Sequence, residues 1–93
     1  MHYVYIMTNK RNGTLYIGTT RNLYERVAQH KYKKIAGFTK DNNCTMLVYY
    51  EEYELATEAI QREKNMKKWK RLWKLTKIEE NNPDWNDLSL EWE

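Results

Sequence analysis

Apolar and aromatic residues cluster early in the chain in two short runs, residues 3–8 (YVYIMT) and 14–18 (TLYIG), with Asn12-Gly13 between them. Both residue types tolerate positive φ, so the pattern predicts two β-strands joined as a hairpin. If Asn12 and Gly13 form the loop, Arg11 pairs with Thr14. Odd positions of the first strand then share a face with even positions of the second. Tyr3, Tyr5, Tyr16 and Gly18 fall on one face, and Val4, Ile6, Leu15 and Ile17 on the other. A longer loop would change which tyrosines are directly opposed.

Beyond the hairpin the apolar period lengthens. Asn22 reads as an N-cap for a helix over 23–31 (LYERVAQHK), with Leu23 and Val27 turned inward. Residues 32–43 are polar and basic and read as a loop, and a third strand follows at 44–52 (CTMLVYYEE). A helix is predicted from Thr57 to about Lys70, starting at Ala56 with Glu58 in its first turn. Leu72, Trp73, Leu75 and Ile78 then indicate either a shorter second helix or a bent continuation. Asn81-Asn82-Pro83 ends it, because proline removes a donor and restricts the residue before it. The order β-β-α-β-α-α predicts a small α/β (α+β) sandwich, a three-stranded antiparallel sheet flanked by helices. Residues 1–80 form the expected domain and 81–93 an acidic tail, whose Trp85 and Trp92 rings are expected to dock on the body.

Composition narrows the class. Ninety-three residues hold one core, and 41% hydrophobic with 14% aromatic residues suffices to fill it, which excludes wholesale disorder. A single cysteine, Cys44, excludes an internal disulfide, and with two histidines it excludes a four-ligand zinc site built from those residues. The longest apolar run, Met46 to Tyr50, is five residues, and the N-terminus lacks a signal-peptide pattern. A monomeric, cytoplasmic protein without a membrane role is expected. All sixteen lysines and arginines lie in residues 1–80 against nine acids, a balance of +7, while 81–93 carry −4. A basic body suits a polyanionic partner, or is simply a solvated surface; an acidic tail beside it is expected to compete with DNA.

Three features could carry chemistry. Arg26 and His30 are four apart on the first helix, so they share a face with Asn22 one turn earlier. A planar guanidinium suits a phosphate and an imidazole can move a proton, although a polar stripe is the commoner reason for such spacing. Glu63 stands among eight basic residues between Arg62 and Lys77, and aligns with Ala59 and Met66 on the inward side of its helix. A carboxylate there needs a partner, whether a cation or a basic neighbour. The surrounding Lys64, Lys67, Lys68 and Arg71 are either a phosphate-contacting rim or the wet face of an amphipathic helix. Trp69 and Trp73 read first as core residues.

As an ordered set, these residues resemble the GIY-YIG nuclease superfamily, particularly its small stand-alone bacterial members. Tyr3-Val4-Tyr5 stands at the first motif, with Tyr3 in place of glycine, and Tyr16-Ile17-Gly18 is the second motif. Arg26 follows ten residues after Tyr16, then His30, and Glu63 lies on the later helix. The context Ala59-Ile60-Gln61-Arg62-Glu63-Lys64 with Trp69 is similar to the branch containing structure-specific endonuclease subunits. The resemblance implies hydrolysis of DNA phosphodiesters, in repair or recombination, with a divalent metal (Mg²⁺ or Mn²⁺) bound together with substrate. It implies Glu63 as metal ligand and Tyr5 as, or as part of, the general base. Tyr16, Arg26 and His30 would orient and neutralise the phosphate, and Gly18 would allow close backbone approach. Nearby cations would be needed to lower the Tyr5 phenol toward a useful basicity. Many members carry asparagine about twelve residues beyond the glutamate, where this chain has Leu75.

Two functions follow: a metal-dependent endonuclease, or a nucleic-acid-binding module that keeps the fold without turnover. An adaptor role for the acidic tail is a third reading. The resemblance leaves open a protein partner that supplies specificity.

Overall fold

A computed structural model describes residues 1–32 and 42–92. Most of the loop expected at 32–43 lies outside the described residues. Strands β1 (His2–Thr8), β2 (Leu15–Thr20) and β3 (Met46–Tyr53) form one antiparallel sheet in the order β2-β1-β3. Helix α1 (Leu23–Lys31) follows the hairpin, and α2 (Ala56–Lys68), α3 (Arg71–Asn81) and a 3₁₀ turn (Leu88–Trp92) follow β3. The β-β-α-β-α-α order is therefore as the sequence predicts.

The central strand divides two apolar layers. Val4 and Ile6 point to one face with Ile17, Val48, Tyr49, Ala59, Met66, Ile78 and Trp85. Tyr5 and Met7 point to the other with Leu23, Val27, Cys44 and Leu47. This is the period-2 alternation of a strand covered on both sides. In β3 the extra residue Val48 forms a bulge opposite Ile6 and Met7. Its insertion lets Val48 and Tyr49, adjacent in sequence, both enter the α2/α3 layer.

The hairpin turn is the longer of the two forms the sequence allows. The strands are joined over 9–14 rather than by Asn12-Gly13 alone. The Gly13 amide donates to the Lys10 carbonyl at 2.9 Å, and the Thr14 amide to Asn9 Oδ1 at 3.0 Å. Asn12 takes the positive φ of 57°. An asparagine side chain thus replaces a backbone partner, and Tyr5 comes opposite Gly18, Met7 opposite Tyr16. The slip relative to a two-residue loop is even, so the expected faces survive.

Helix boundaries follow local chemistry. Asn22 Oδ1 accepts from the Glu25 amide at 3.0 Å, which fixes the start of α1 where the sequence predicts it. Between α2 and α3, Trp69 and Lys70 are both extended, with ψ of 149°, so the second helix is separate rather than a bent continuation. At the end of α3 the Asn82 amide donates to the Ile78 carbonyl at 2.8 Å, and its side chain donates to the Val48 and Asn86 carbonyls. The chain beyond packs back onto the body. The Trp85 ring is buried and donates to Glu79. Asp87 accepts from Lys31, Ser89 and the Leu47 amide. Burial alone would push the Asp87 carboxyl up, but these donors outweigh it and hold it below its usual range.

A polar cluster ties α2 to β3. Arg62 donates to both Glu51 oxygens, at 2.9 and 3.0 Å, and its guanidinium lies 4.9 Å from the centre of the Trp69 ring. The Tyr49 and Tyr53 hydroxyls also donate to Glu51. Burial raises the Glu51 carboxyl, and the four donated bonds reverse that to a net lowering below 4.5. A depressed carboxylate contributes its stability above its unfolded-state pKa and loses it as pH falls through the lower folded value. Glu51→Ala should therefore cost about 2 kcal/mol or more at neutral pH, by stranding Arg62 and Tyr49. Urea unfolding at pH 7 and at a pH below the carboxylate range measures it, and the difference between the two proteins should shrink in acid.

Candidate active site

With β1 central and β3 on one side, β2 is left as a sheet edge. Gly18 sits in the middle of that edge, opposite Tyr5. A Cβ on Gly18 would lie 2.7 Å from the Tyr5 hydroxyl oxygen, 2.9 Å from Tyr5 Cζ and 3.0 Å from the Tyr16 ring. The tyrosine rings occupy the room that glycine leaves. The Tyr5 and Tyr16 ring centres are 6.2 Å apart, and His30 completes a triangle at 5.6 Å from Tyr5 and 5.3 Å from Tyr16. His30 comes from the last turn of α1, and its Nε2 is 2.9 Å from the Tyr5 hydroxyl oxygen.

Charges reach this cluster from both sides of the sheet. Arg26, one turn before His30, acts on both Tyr5 and His30. Burial, and then the Arg26 charge, pulls His30 down to about 4, so the imidazole is neutral at physiological pH. Burial drives the Tyr5 hydroxyl well above the ordinary phenol range. Tyr16 and Glu63 add to that rise and Arg26 opposes it. The expected lowering by Arg26 is present, but burial is larger. A protonated phenol beside a neutral imidazole can donate its O–H to Nε2, with the ring proton on Nδ1.

Glu63 belongs to α2, which packs against the Val4 and Ile6 face, yet its carboxylate acts on the Tyr5 hydroxyl. Its side chain keeps 19% exposure and forms an ion pair with Lys67 Nζ at 3.5 Å. Of the residues singled out from the sequence, Tyr5, Tyr16, Gly18 and His30 are in direct contact, and Arg26 and Glu63 act on them through charge. Val4 and Ile17 are core residues, and the half-buried Tyr3 ring packs edge-on at 6.5 Å from Tyr50. Lys64 and Lys68 are exposed on α2. Arg71 instead braces the hairpin, donating to the carbonyls of Asn12 and Gly13 at 2.7 and 2.6 Å. Leu75 is partly buried against the α2/α3 layer.

Residues 1–92 match the family model of the GIY-YIG catalytic domain. The chain belongs to the GIY-YIG nuclease family. It is 43% identical over 79 residues to a UPF0213 protein of Staphylococcus haemolyticus, covering 85% of this chain and 95% of that one. A UPF0213 protein of Staphylococcus saprophyticus is 35% identical over the same shares. Among solved structures, the solution NMR structure of a UPF0213 protein from Bacillus halodurans aligns with a TM-score of 0.57 and 26% identity. The alignment covers 92% of this chain and 90% of that one.

GIY-YIG nucleases generally use a divalent metal. Among the described residues no three His, Cys, Asp or Glu side chains gather as a metal cage. A lone half-buried carboxylate, Glu63, fits a hard cation that retains most of its waters and takes further oxygens from a phosphate. No helix among the described residues is long and apolar enough to cross a membrane.

Sequence reasoning did not foresee the Tyr5–His30 hydrogen bond or the brace made by Arg71. The first spans 25 residues and no local pattern encodes it. The second needed the true hairpin turn.

Two outcomes follow from this geometry. His30 should stay neutral in NMR titration down to about pH 4. An ordinary unfolded-state histidine takes up its proton near 6.5, so stability should fall as pH drops from 6.5 toward 4 and level below. Arg26→Ala should raise the His30 value, and His30→Gln should flatten that part of the pH–stability curve. Gly18→Ala should displace the Tyr5 hydroxyl and cost about 1–3 kcal/mol as an overpacked site, read by thermal unfolding and by loss of the Tyr5–His30 contact in NMR.

Proposed function

We propose that this chain is a metal-dependent endonuclease that hydrolyses DNA phosphodiester bonds at the β2 edge. The observation that carries the reading is the gathering of two phenols and a neutral imidazole under the charges of Arg26 and Glu63. Arg26 would neutralise the phosphate as charge develops on its oxygens. Tyr16, half-exposed beside Tyr5, would orient a phosphate oxygen. Tyr5 is held protonated, so it serves as a base only by exchange. It accepts a proton from the attacking water as its own passes to His30 Nε2, 2.9 Å away. The water oxygen bonds to phosphorus, the P–O bond to the leaving oxygen breaks with its electron pair going to that oxygen, and the alkoxide takes a proton from solvent while His30 releases the one it received. Glu63 would hold the divalent cation, which supplies charge stabilisation and a lowered water pKa when bound.

A second reading, a DNA-binding module without turnover, draws support from two features. Lys67 already neutralises Glu63, and Leu75 stands where many members have asparagine.

Incubation with duplex, single-stranded, branched and damaged DNA, with Mg²⁺ or Mn²⁺ and with chelator, separates the two. Metal-dependent cutting is expected, reduced about a hundredfold or more in Glu63→Gln and Arg26→Ala with binding retained. The preferred substrate in the panel assigns a repair or recombination role. Equal cutting by Glu63→Gln would exclude the mechanism, and salt-sensitive binding without any cutting would establish the module.

A further inference from the structure

An open cleft of about 710 Å³ lies between the β1–β2 turn and the start of α3, and none of Tyr5, Tyr16 or His30 lines it. Lys10, Arg71 and Lys74 line it, together with the turn residues Asn9, Gly13 and Thr14, and no acidic residue among those described does. The two lysines differ from Arg71 in what they touch. Arg71 is consumed by the Asn12 and Gly13 carbonyls, so it holds α3 to the turn and preforms the cleft. Neither Lys10 nor Lys74 has an acidic partner among the described residues; Lys74 Nζ touches only the Lys67 carbonyl, at 3.4 Å. Two cations facing one concave surface without an acid among the described residues favour a polyanion there.

The cleft is joined to the candidate catalytic residues by consecutive contacts. Lys74 reaches Lys67, and Lys67 Nζ reaches Glu63 Oε1 at 3.5 Å. Along the sheet, Leu15 at the cleft and Gly18 beside Tyr5 are three residues apart on the same open edge. At ~3.3 Å per residue this is about 10 Å, or roughly three base-pair steps of a duplex at 3.4 Å of axial rise each. We infer that Lys10 and Lys74 grip the DNA backbone about three base-pair steps along the duplex axis from the bond positioned at Tyr5, with Lys67 between them. The cleft is a second, non-catalytic phosphate site, and the spacing of the two sites lays the strand along β2. This deepens the nuclease reading and rests on it for the position of the cut, whereas the phosphate grip itself can be tested without turnover.

The test is binding of a fluorescent DNA duplex to the full chain in chelator, titrated over a range of NaCl concentrations. Lys74→Ala should weaken binding about fivefold to tenfold at low salt and lower the slope of log affinity against log salt by about 1. Lys10→Ala should do the same. Lys77→Ala, one turn further along α3 and paired with Glu80, removes the same charge outside the cleft and should leave the slope unchanged. Lys74→Arg should retain wild-type binding. Equal losses in Lys74→Ala and Lys77→Ala would mean diffuse net charge and overturn the assignment, as would a Lys74→Ala variant that binds like wild type. If the cleft variants lose binding but wild type cuts no DNA with metal, the phosphate grip stands and the nuclease reading falls. Failure of wild type to bind DNA overturns both.

Discussion

The Tyr5 hydroxyl occupies the space where a side chain on Gly18 would stand. Much of the local structure is needed to bring those two residues opposite each other. With a two-residue loop at Asn12-Gly13, Tyr5 would face Thr20 and Gly18 would face Met7. The longer turn, closed by Asn9 and braced by Arg71, moves the register by two and sets Tyr5 against Gly18. The phenol can then lean over the edge strand and reach His30 on α1. A turn that looks like plain chain reversal therefore positions the hydroxyl on which the site is centred.

Burial governs the electrostatics that result. It raises the Tyr5 phenol and lowers the His30 imidazole, so both groups are neutral and form one hydrogen-bonded pair. Arg26 is the permanent charge beside them. On the far face, the Glu51–Arg62 pair sets the rotation of α2 against β3. Glu63 is the next residue, about 100° further round the helix, so the clamp that turns Arg62 toward β3 also turns Glu63 toward the β2 side. This bidentate ion pair is structural, and its adjacency to Glu63 makes it part of how the candidate site is oriented.

Elements with a strong local signal were legible in the sequence. The faces of the hairpin follow from period 2 and hold under any even slip, which is why the tyrosines group correctly whichever of the two turns forms. Asn22 marked the start of α1 because a side-chain cap is a local bond. The break at Trp69-Lys70 has neither glycine nor proline, so nothing in the pattern separates it from a bend; the Trp69 ring stacked under Arg62 belongs to tertiary packing. Tyr5, Tyr16 and His30 could be singled out from the sequence and do lie in contact, whereas their bonding partners could not be read from it. Tyr5 with His30, and Arg71 with the turn, join parts of the chain that only the fold brings together. Exposed lysines are the least legible, since solvated charges of equal sequence character divide into Lys77, paired with Glu80, and Lys74, which faces a cleft without acids among the described residues.

Glu63 shows how one carboxylate can sit half-buried between such different neighbours. Without a cation it is compensated by Lys67, a partly solvated pair worth about 0.2–1 kcal/mol, far weaker than the four-donor cluster around Glu51. A weak partner is easily exchanged. Under the proposed reading, a hard cation and a phosphate arriving together give Glu63 a stronger counter-charge and Lys67 a new anion at the same moment. The lysine nearest the carboxylate then moves from compensating Glu63 to holding the strand that runs on toward Lys74. A permanent bidentate arginine in that position would keep the carboxylate occupied, as Arg62 keeps Glu51, and under the proposed reading the two adjacent ion pairs differ in strength in the direction that reading requires.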